Sequence, residues 1–129
     1  MSGKYLLDTN IVIALFSKDM GVIGELEKGG EIFIPSVVIG ELYYGAEKSL
    51  KREENKAVIK KFISDNIILS CTKETAVYYG EVKNSLRKKG RPIPENDIWI
   101  SALAIQHKLI LVTRDIHFKD VNGLKIVSW

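Results

Sequence analysis

The sequence predicts an α/β fold in which helices cover both faces of a parallel sheet. The first observation is that short, mainly apolar and β-branched runs recur along the chain, as is typical of strands buried on both faces. The second is that longer segments lie between these runs, with apolar residues three or four positions apart, which is typical of helices. Strands and helices that alternate in this way favour parallel βαβ units.

The predicted elements of the first half, in chain order, are a strand at 4–7, a helix at 10–18, a short helix at 21–28, a strand at 31–34 and helices at 37–49 and 52–64. Gly29 and Gly30 end the second helix. Pro35 and Ser36 supply a turn and the N-cap of the helix that follows. We expect the last of these helices to bury one apolar stripe, formed by Val58, Ile59, Phe62 and Ile63.

The predicted elements of the second half are a strand at 67–70, helices at 73–89 and 95–108, and strands at 109–112 and 124–127. Thr72 can cap the longer helix, and Glu74 is well placed at its positive end. Residues 90–94, rich in glycine and proline, separate the two helices. The second helix is expected to face inward with Ile98, Ala102 and Ile105, and Leu109 just beyond its end could join them.

The bulk composition indicates one globular domain over residues 1–129. A chain that is 46% hydrophobic and 27% charged is not expected to be disordered. Cys71 is the only cysteine, which excludes an internal disulfide and a cysteine-rich zinc site and favours a reducing, cytoplasmic location. The longest run without a polar residue or glycine, 11–16, is far shorter than the ~20 residues of a membrane helix, so we expect no membrane association.

Four acidic residues are expected at one edge of the sheet. Asp8 and Asp115 follow predicted strands, whereas Glu41 and Asp97 lie in the early turns of predicted helices. In open α/β sheets, catalytic and binding residues gather beyond the carboxyl ends of the strands. The fold could therefore bring these acids together although they are distant in sequence. Each also has a purely structural interpretation, for example Asp8 as a helix N-cap and Asp97 as a first-turn acid favoured by the helix dipole.

Bringing several carboxylates close together costs electrostatic free energy, and the way in which this cost is offset indicates what the residues do. Like charges at close range disfavour ionisation, so such a cluster must hold protons or a cation. A set of oxygen ligands without cysteine suits a hard divalent ion, Mg²⁺ or Mn²⁺, better than zinc. Such an ion can ionise a water molecule and neutralise charge on phosphorus, which predicts phosphodiester hydrolysis.

Short motifs spread over nearly the whole chain are jointly specific: L-L-D-T-N, I-P-S-V-V-I-G-E-L-Y-Y-G, N-D-I-W-I-S-A-L-A, L-V-T-R-D-I-H-F and the terminal K-I-V-S-W. In these motifs the chain resembles the PIN-domain ribonucleases, specifically the VapC-type toxins of toxin–antitoxin pairs. The resemblance implies a three-layer α/β/α sandwich with a central parallel sheet of four to five strands. It also implies metal-dependent endoribonuclease activity and inhibition by a small antitoxin protein.

By position, Asp8, Glu41, Asp97 and Asp115 match the family's acidic quartet, which the resemblance implies to be both catalytic and metal-binding. Glu41 could bind metal or orient the attacking water. The resemblance further implies supporting roles for Asn10, beside Asp8, and for the hydroxyl of Thr113. The sequence assigns no role to His117, whose imidazole could simply cap its loop.

Basic residues indicate where a nucleic acid could bind. The net charge of +3 is too small to imply such binding, but five positive charges fall within nine residues: Lys83, Arg87, Lys88, Lys89 and Arg91. They could contact phosphates or simply form a solvated helix end that complements the dipole. A second basic group comprises Lys48, Lys51 and Arg52, and we expect Arg114 to lie closest to a substrate phosphate. The resemblance implies that the substrate is RNA, such as transfer or ribosomal RNA.

Two pairs of aromatic residues suggest association: Tyr43, Tyr44, Tyr78 and Tyr79. Packing between helices within the chain is the commoner explanation of such pairs, but some members of the family that the chain resembles dimerise through such surfaces, and we predict a homodimer. We also expect the antitoxin to dock in a groove and to insert a side chain at the acidic site.

Other functions remain as alternatives. A phosphoacceptor signalling module would need an acidic residue after the third strand, where this chain has Ser70 and Cys71. A non-catalytic scaffold that binds RNA or antitoxin would not need the complete quartet. A DNA-directed nuclease of the same fold would be expected to carry a large inserted arch.

Overall fold

The computed structural model describes residues 3–129 and contains one parallel sheet of five strands in the order β3-β2-β1-β4-β5. The strands are β1 (Lys4–Leu7), β2 (Glu31–Pro35), β3 (Ile67–Leu69), β4 (Ile110–Val112) and β5 (Ile126–Val127). The helices are α1 (Thr9–Phe16), α2 (Met20–Leu26), α3 (Ser36–Glu47), α4 (Arg52–Asp65), α5 (Lys73–Lys89) and α6 (Glu95–His107), with a short 3₁₀ helix at Ile116–Asp120. The predicted α/β fold with a parallel sheet is confirmed.

Strand β1 lies at the centre of the sheet, where Leu6 pairs with Phe33 of β2 and Leu111 of β4. From β1 the chain adds β2 and β3 on one side, and it later adds β4 and β5 on the other. The order therefore reverses between β1 and β4. In open α/β sheets this reversal opens a crevice beyond the carboxyl ends of the two strands, which is where ligands bind.

The core covers both faces of the sheet. Adjacent strand residues point to opposite faces, and Leu6 and Leu7 are at most 1% exposed, so both faces of β1 are buried. Helices α1, α3, α4 and α6 contribute further buried residues to the same cluster, among them Ile11, Val38, Ile59 and Leu103. A second cluster joins α5 to α6 through Val82, Leu86, Ile98 and Val121. This layering is the α/β/α sandwich expected from the resemblance.

Most predicted element boundaries agree with the structure within a few residues, and Thr72 caps α5 in a reciprocal capping box with Thr75. Ser36, predicted as an N-cap, is instead the first residue of α3, and Pro35 ends β2 with no side-chain cap. The strand predicted at 124–127 begins only at Ile126, because Leu124 packs against both core clusters before the pairing starts. Among the described residues, no helix is both long enough and apolar enough to span a membrane.

The prediction that Val58 is buried is wrong. Its side chain is 48% exposed, whereas Ile59 and Phe62 of the same helix are buried. Val58 instead lines an apolar groove of about 460 Å³ between α1, α3 and α4. The helical spacing correctly placed Val58 near the apolar side of α4, but it did not show that the neighbouring helices leave part of that side open.

Candidate metal centre

The structure places the four predicted acids around the crevice at the centre of the sheet. Asp8 directly follows β1, and Asp115 lies three residues after the end of β4. Asp97 is in the first turn of α6, and Glu41 lies in the second turn of α3, which follows β2 directly. The backbone N–H of Asp8 donates to the carbonyl of Val112 at 3.0 Å, so the pairing between β1 and β4 continues up to the site.

Asp8 is held from several directions and is only 5% exposed. Its Oδ1 accepts a hydrogen bond from the backbone N–H of Thr9 at 2.8 Å, as an N-cap of α1. Its Oδ2 accepts from the hydroxyl of Thr113 at 2.7 Å and from the side-chain amide of Asn10 at 3.2 Å. The N-cap role and the site role of Asp8 therefore coexist, because its two oxygens serve different partners.

Thr113 and Asn10 connect Asp8 to the loop after β4. The Thr113 oxygen accepts hydrogen bonds from the backbone N–H of Asp115 at 3.0 Å and from the Asn10 amide at 3.4 Å. The Asn10 carbonyl oxygen in turn accepts from the backbone N–H of Arg114 at 3.2 Å. Both residues that were predicted to support the acids thus lie within their hydrogen-bond network.

Glu41 joins the site through Thr9, whose hydroxyl donates to Glu41 Oε1 at 2.7 Å. This contact links the first residue of α1 to the middle of α3. It fixes one carboxylate oxygen of Glu41 and leaves Oε2 without a partner among the hydrogen bonds of the described residues.

His117 lies between the other two acids. Its Nε2 is 2.7 Å from Asp97 Oδ2, and its Nδ1 is 2.7 Å from Asp115 Oδ1. The side chains of His117 and Asp97 are 29% and 15% exposed, so the contact between them is shielded from most of the solvent. The hydroxyl of Ser101, one turn along α6, donates to the carbonyl of Asp97 at 2.8 Å.

The electrostatics show that the acids act on one another. Burial raises the pKa of Asp8 above its ordinary range; hydrogen bonds from Thr113 and Thr9 oppose this, and the charges of Glu41 and Asp115 add to it. Burial also raises the pKa of Asp97; His117 opposes the shift, and the charges of Asp8 and Glu41 add to it. The charges of the acids therefore act on one another around the crevice.

This donor set fits a divalent cation. One ligand atom from each of Asp97, Asp115 and His117 can be chosen so that all three lie within 4.8 Å of one another. Asp8 and Glu41 act on the same group through their charges. A cation would offset both the burial, which is the larger cause of the two raised pKa values, and the repulsion that adds to it, and a carboxylate-rich set suits Mg²⁺ or Mn²⁺.

The predicted basic residues fall into two groups. Lys89 is tied to the loop after the 3₁₀ helix, where its ammonium donates to the carbonyl of Asp120 at 2.7 Å and to the side chain of Asn122. Arg87, Lys88 and Arg91 are exposed where α5 ends and the chain turns towards α6. The segment that carries them leads directly into α6, whose first turn contains Asp97.

Arg114 is partly engaged within the chain. Its Nε donates to the carbonyl of Trp129 at 2.8 Å, and its Nη2 forms an ion pair with Asp19 at 3.0 Å. The hydrogen bond from Arg114 is the main reason why the pKa of Asp19 is lowered. The guanidinium still has donors to spare, since it carries five N–H groups.

Three contributors to this region were not predicted from the sequence: the hydroxyl of Thr9, the bridging position of His117 and the pairing of Asp19 with Arg114. Thr9 lies inside the motif L-L-D-T-N, which offered a signal, but its partner depends on how α3 packs. The single residue between Asp115 and His117, Ile116, gives no periodic signal of a 3₁₀ helix. For Asp19 the sequence offers only the local signal of an N-cap before α2, which does not indicate its pairing with Arg114.

Comparisons with known proteins identify the family of the chain and its fold. The family model of the PIN domain matches residues 5–124. The ribonuclease VapC2 of Haemophilus influenzae is 40% identical over 129 residues, covering 98% of each chain. The tRNA(fMet)-specific endonuclease VapC of Shigella flexneri is 36% identical over 129 residues, again covering 98% of each. The crystal structure of VapBC2 from Rickettsia felis bound to a promoter DNA fragment matches with a TM-score of 0.90 at 35% identity, covering 97% of this chain and 98% of that one.

Proposed function

This chain belongs to the PIN-domain family, and we propose that it is a metal-dependent endoribonuclease that acts as the toxin of a type II toxin–antitoxin pair. The observation that carries this proposal is the convergence of Asp8, Glu41, Asp97 and Asp115 at the crevice between β1 and β4. The names of the similar proteins, ribonuclease and tRNA-specific endonuclease, support RNA as the substrate. Because its substrate would be RNA, we propose that the protein acts in the cytoplasm. We also propose that residues 1–129 form a single PIN domain.

In this proposal Asp8, Asp97 and Asp115 hold Mg²⁺ or Mn²⁺ directly or through water. A bound ion of this kind supplies an ionised water molecule and neutralises charge at the phosphate. Glu41 orients the attacking water through Oε2, because its Oε1 is already occupied by the Thr9 hydroxyl. Thr113 and Asn10 keep the Asp8 carboxylate in place, so the chain does not have to reorganise when substrate binds.

The apolar groove between α1, α3 and α4 is the proposed docking site for the antitoxin. Ile13 and Val58 are about half exposed and line the same groove, and apolar side chains that are exposed side by side can mark a surface that binds another protein. Glu41 lies at the same groove, so a chain bound there can reach the acidic site with a basic side chain. The matched structure from Rickettsia felis, which is a VapBC2 complex, is consistent with a protein partner of this kind.

RNA binding is proposed to depend on the exposed basic residues Arg87, Lys88 and Arg91 and on the free donors of Arg114. Lys89 is assigned a smaller share because its ammonium is held by Asp120 and Asn122. Phosphate contacts of this kind are independent of sequence, so RNA shape and exposed loop bases would determine where cleavage occurs. By analogy with the relative from Shigella flexneri, transfer RNA is the first substrate to test.

A homodimer remains part of the proposal. Tyr79 is used inside the chain, where it stacks on Trp99 with ring centroids 4.1 Å apart. Tyr44 is 65% exposed on α3, with the Lys48 ammonium 4.4 Å from its ring centre, and is available for association. Light scattering coupled to size-exclusion chromatography should give twice the mass of the chain, and a monomer at micromolar concentration would contradict the dimer.

Cleavage of RNA by the purified protein tests the proposed function. We expect transfer RNA to be cut in Mn²⁺ or Mg²⁺, and we expect both a chelator and the substitution Asp97→Ala to abolish cleavage. Asp65→Ala is the matched control, because Asp65 is an exposed aspartate at the end of α4, away from the crevice, where it pairs with Lys61. RNA that is bound but not cut by the metal-loaded protein would favour a non-catalytic scaffold, and cleavage of DNA alone would favour the DNA-directed alternative.

A further inference from the structure

Among the described residues of the centre, His117 is the one that offers a nitrogen atom as a metal ligand. Contacts within the protein already hold its ring in place. The imidazole lies against the ring of Phe118, with centroids 4.8 Å apart, and Phe118 itself is completely buried. The 3₁₀ helix at Ile116–Asp120 fixes the backbone on which both residues lie. A side chain that is fixed in this way is better suited to a ligand than to a solvent-exposed cap.

The two ring nitrogens have different surroundings. Nδ1 faces Asp115 Oδ1, and the same oxygen accepts from the backbone N–H of His117 at 3.5 Å, as the cap of the 3₁₀ helix. This is a contact within one loop. Nε2 instead faces Asp97 Oδ2 on a different element, at 2.7 Å.

We propose that Nε2 of His117 is a ligand of the divalent ion at this centre, beside Asp97, and that this nitrogen makes the site prefer Mn²⁺ to Mg²⁺. The inference rests on the proposed function, since it requires the acidic centre to bind a metal. It goes further in assigning a specific atom and a metal preference.

The distances allow an ion to replace the proton between Nε2 and Asp97. Two adjacent ligand atoms of an octahedral ion, each ~2.1 Å from it, lie about 3 Å apart, which is close to the separation found here. The ligand atoms of Asp97, Asp115 and His117 already lie within 4.8 Å of one another. Only a small outward shift of the Asp97 and His117 side chains is therefore needed.

The contact on the other side of the ring has the form expected for a ligating histidine. Such a histidine almost always donates its second N–H to a carboxylate or carbonyl, which sets the tautomer and the ring orientation. The Nδ1 contact with Asp115 Oδ1 supplies this interaction, while the second oxygen of Asp115 stays available. Asp115 can thus orient the ring and still contribute a charge to the centre.

The proposed consequence is selectivity among metals. Mg²⁺ strongly favours oxygen ligands, whereas an imidazole nitrogen is a better ligand for first-row transition ions, and affinity for a given site generally rises along that series from Mn²⁺. An all-carboxylate centre would discriminate less between Mg²⁺ and Mn²⁺. His117 therefore shifts the preference towards Mn²⁺.

Electron spin-echo spectroscopy of the Mn²⁺-loaded protein tests the proposal directly, because a coordinated imidazole gives ¹⁴N modulation. We expect this modulation in the wild-type protein and its loss in His117→Gln, in which an amide oxygen has a similar reach. His107→Asn is the matched control: His107 is the only other histidine and is exposed at the far end of α6, so this variant should keep the modulation.

Calorimetric titration with Mn²⁺ and Mg²⁺ provides the second measurement. We expect His117→Gln to lower the Mn²⁺ affinity by at least about 10-fold, the lower end of the effects seen when groups that merely support a ligand are removed, and to lower the Mg²⁺ affinity less. If the wild-type protein binds Mn²⁺ without ¹⁴N modulation, the ligand assignment is wrong while the proposed function stands. If it binds no Mn²⁺ at all, both are overturned.

Discussion

The hydroxyl of Thr113 donates a 2.7 Å hydrogen bond to Oδ2 of Asp8, although the two residues are 105 positions apart in the sequence. They meet because β1 and β4 are neighbours in the sheet and because each residue directly follows its strand. Thr113 is 2% exposed and also accepts hydrogen bonds from Asn10 and from the backbone of Asp115. One hydroxyl thus links the two strand ends on which the proposed metal centre is built.

Thr113→Val should destabilise the protein and impair metal binding. Valine has nearly the shape of threonine but removes the hydrogen bond to Asp8 Oδ2, which keeps only the 3.2 Å contact from Asn10, and it leaves the backbone N–H of Asp115 without its acceptor. We expect the free energy of unfolding to fall by about 1–3 kcal/mol, the cost of unsatisfied buried polar groups. Chemical denaturation measures the change. Thr113→Ser, which keeps the hydroxyl, should lose less, and equal losses in the two variants would show that the methyl group matters rather than the hydrogen bonds.

The stability of the protein in chelator should depend on pH through Asp8 and Asp97. Their native pKa values are raised above the ordinary value of 3.8, so above that pH the folded state binds more protons than the unfolded state. Their contribution to stability therefore falls as pH rises through the native pKa values and then levels off.

Thermal melts in chelator, compared between the wild-type protein and Asp97→Asn, isolate this effect from that of other groups. We expect the wild-type protein to lose stability relative to the variant as pH rises from acidic to neutral. Mn²⁺ should stabilise the wild-type protein more than the variant at neutral pH, because Asp97→Asn lacks one of the proposed carboxylate ligands. A difference that is independent of pH would contradict the raised pKa of Asp97.

Replacing Arg87, Lys88 and Arg91 together by alanine should weaken RNA binding. Each phosphate contact that is lost should make the slope of log K against log salt shallower by about 0.7. Lys89 is left in place because it anchors the loop after the 3₁₀ helix. Filter binding over a range of salt concentrations is the measurement.

The matched control replaces three exposed lysines at the opposite edge of the sheet: Lys28, Lys60 and Lys61. This variant removes the same charge and should leave the salt slope nearly unchanged. If the two triple variants have equal slopes, Arg87, Lys88 and Arg91 do not contact RNA phosphates and only form a solvated helix end.

Arg114→Ala should also lower RNA affinity, because we expect this arginine to contact one phosphate of the RNA. The alternative is that Arg114 acts only by tying Asp19 and Trp129 to the loop after β4. Asp19→Asn separates the two roles, because it weakens the ion pair and keeps the positive charge. If Asp19→Asn reduces RNA affinity as much as Arg114→Ala does, the arginine positions the loop and does not contact phosphate.

The extent to which the sequence predicted this molecule depends on how local each feature is. Asp8 and Asp115 could be assigned to one edge because they follow apolar strands, and parallel strands end at the same edge of a sheet. The capping of α5 by Thr72 was equally local.

Features that depend on packing were not predicted. The contact of Thr9 with Glu41 requires the orientation of α3 relative to α1, which no periodicity encodes. The bridge made by His117 requires a 3₁₀ helix of only five residues, too short to give a pattern. Val58 was placed in the core because helical spacing identifies an apolar side but not whether neighbouring helices close over it.

Titration of Mn²⁺ into the purified protein, followed by calorimetry, tests most directly whether the four acids form a metal centre. We predict saturable binding to the wild-type protein and loss of binding in Asp8→Ala and Asp97→Ala, each checked for folding by circular dichroism. Absence of binding to the folded wild-type protein, or unchanged binding in both variants, would contradict the assignment of the acids as metal ligands.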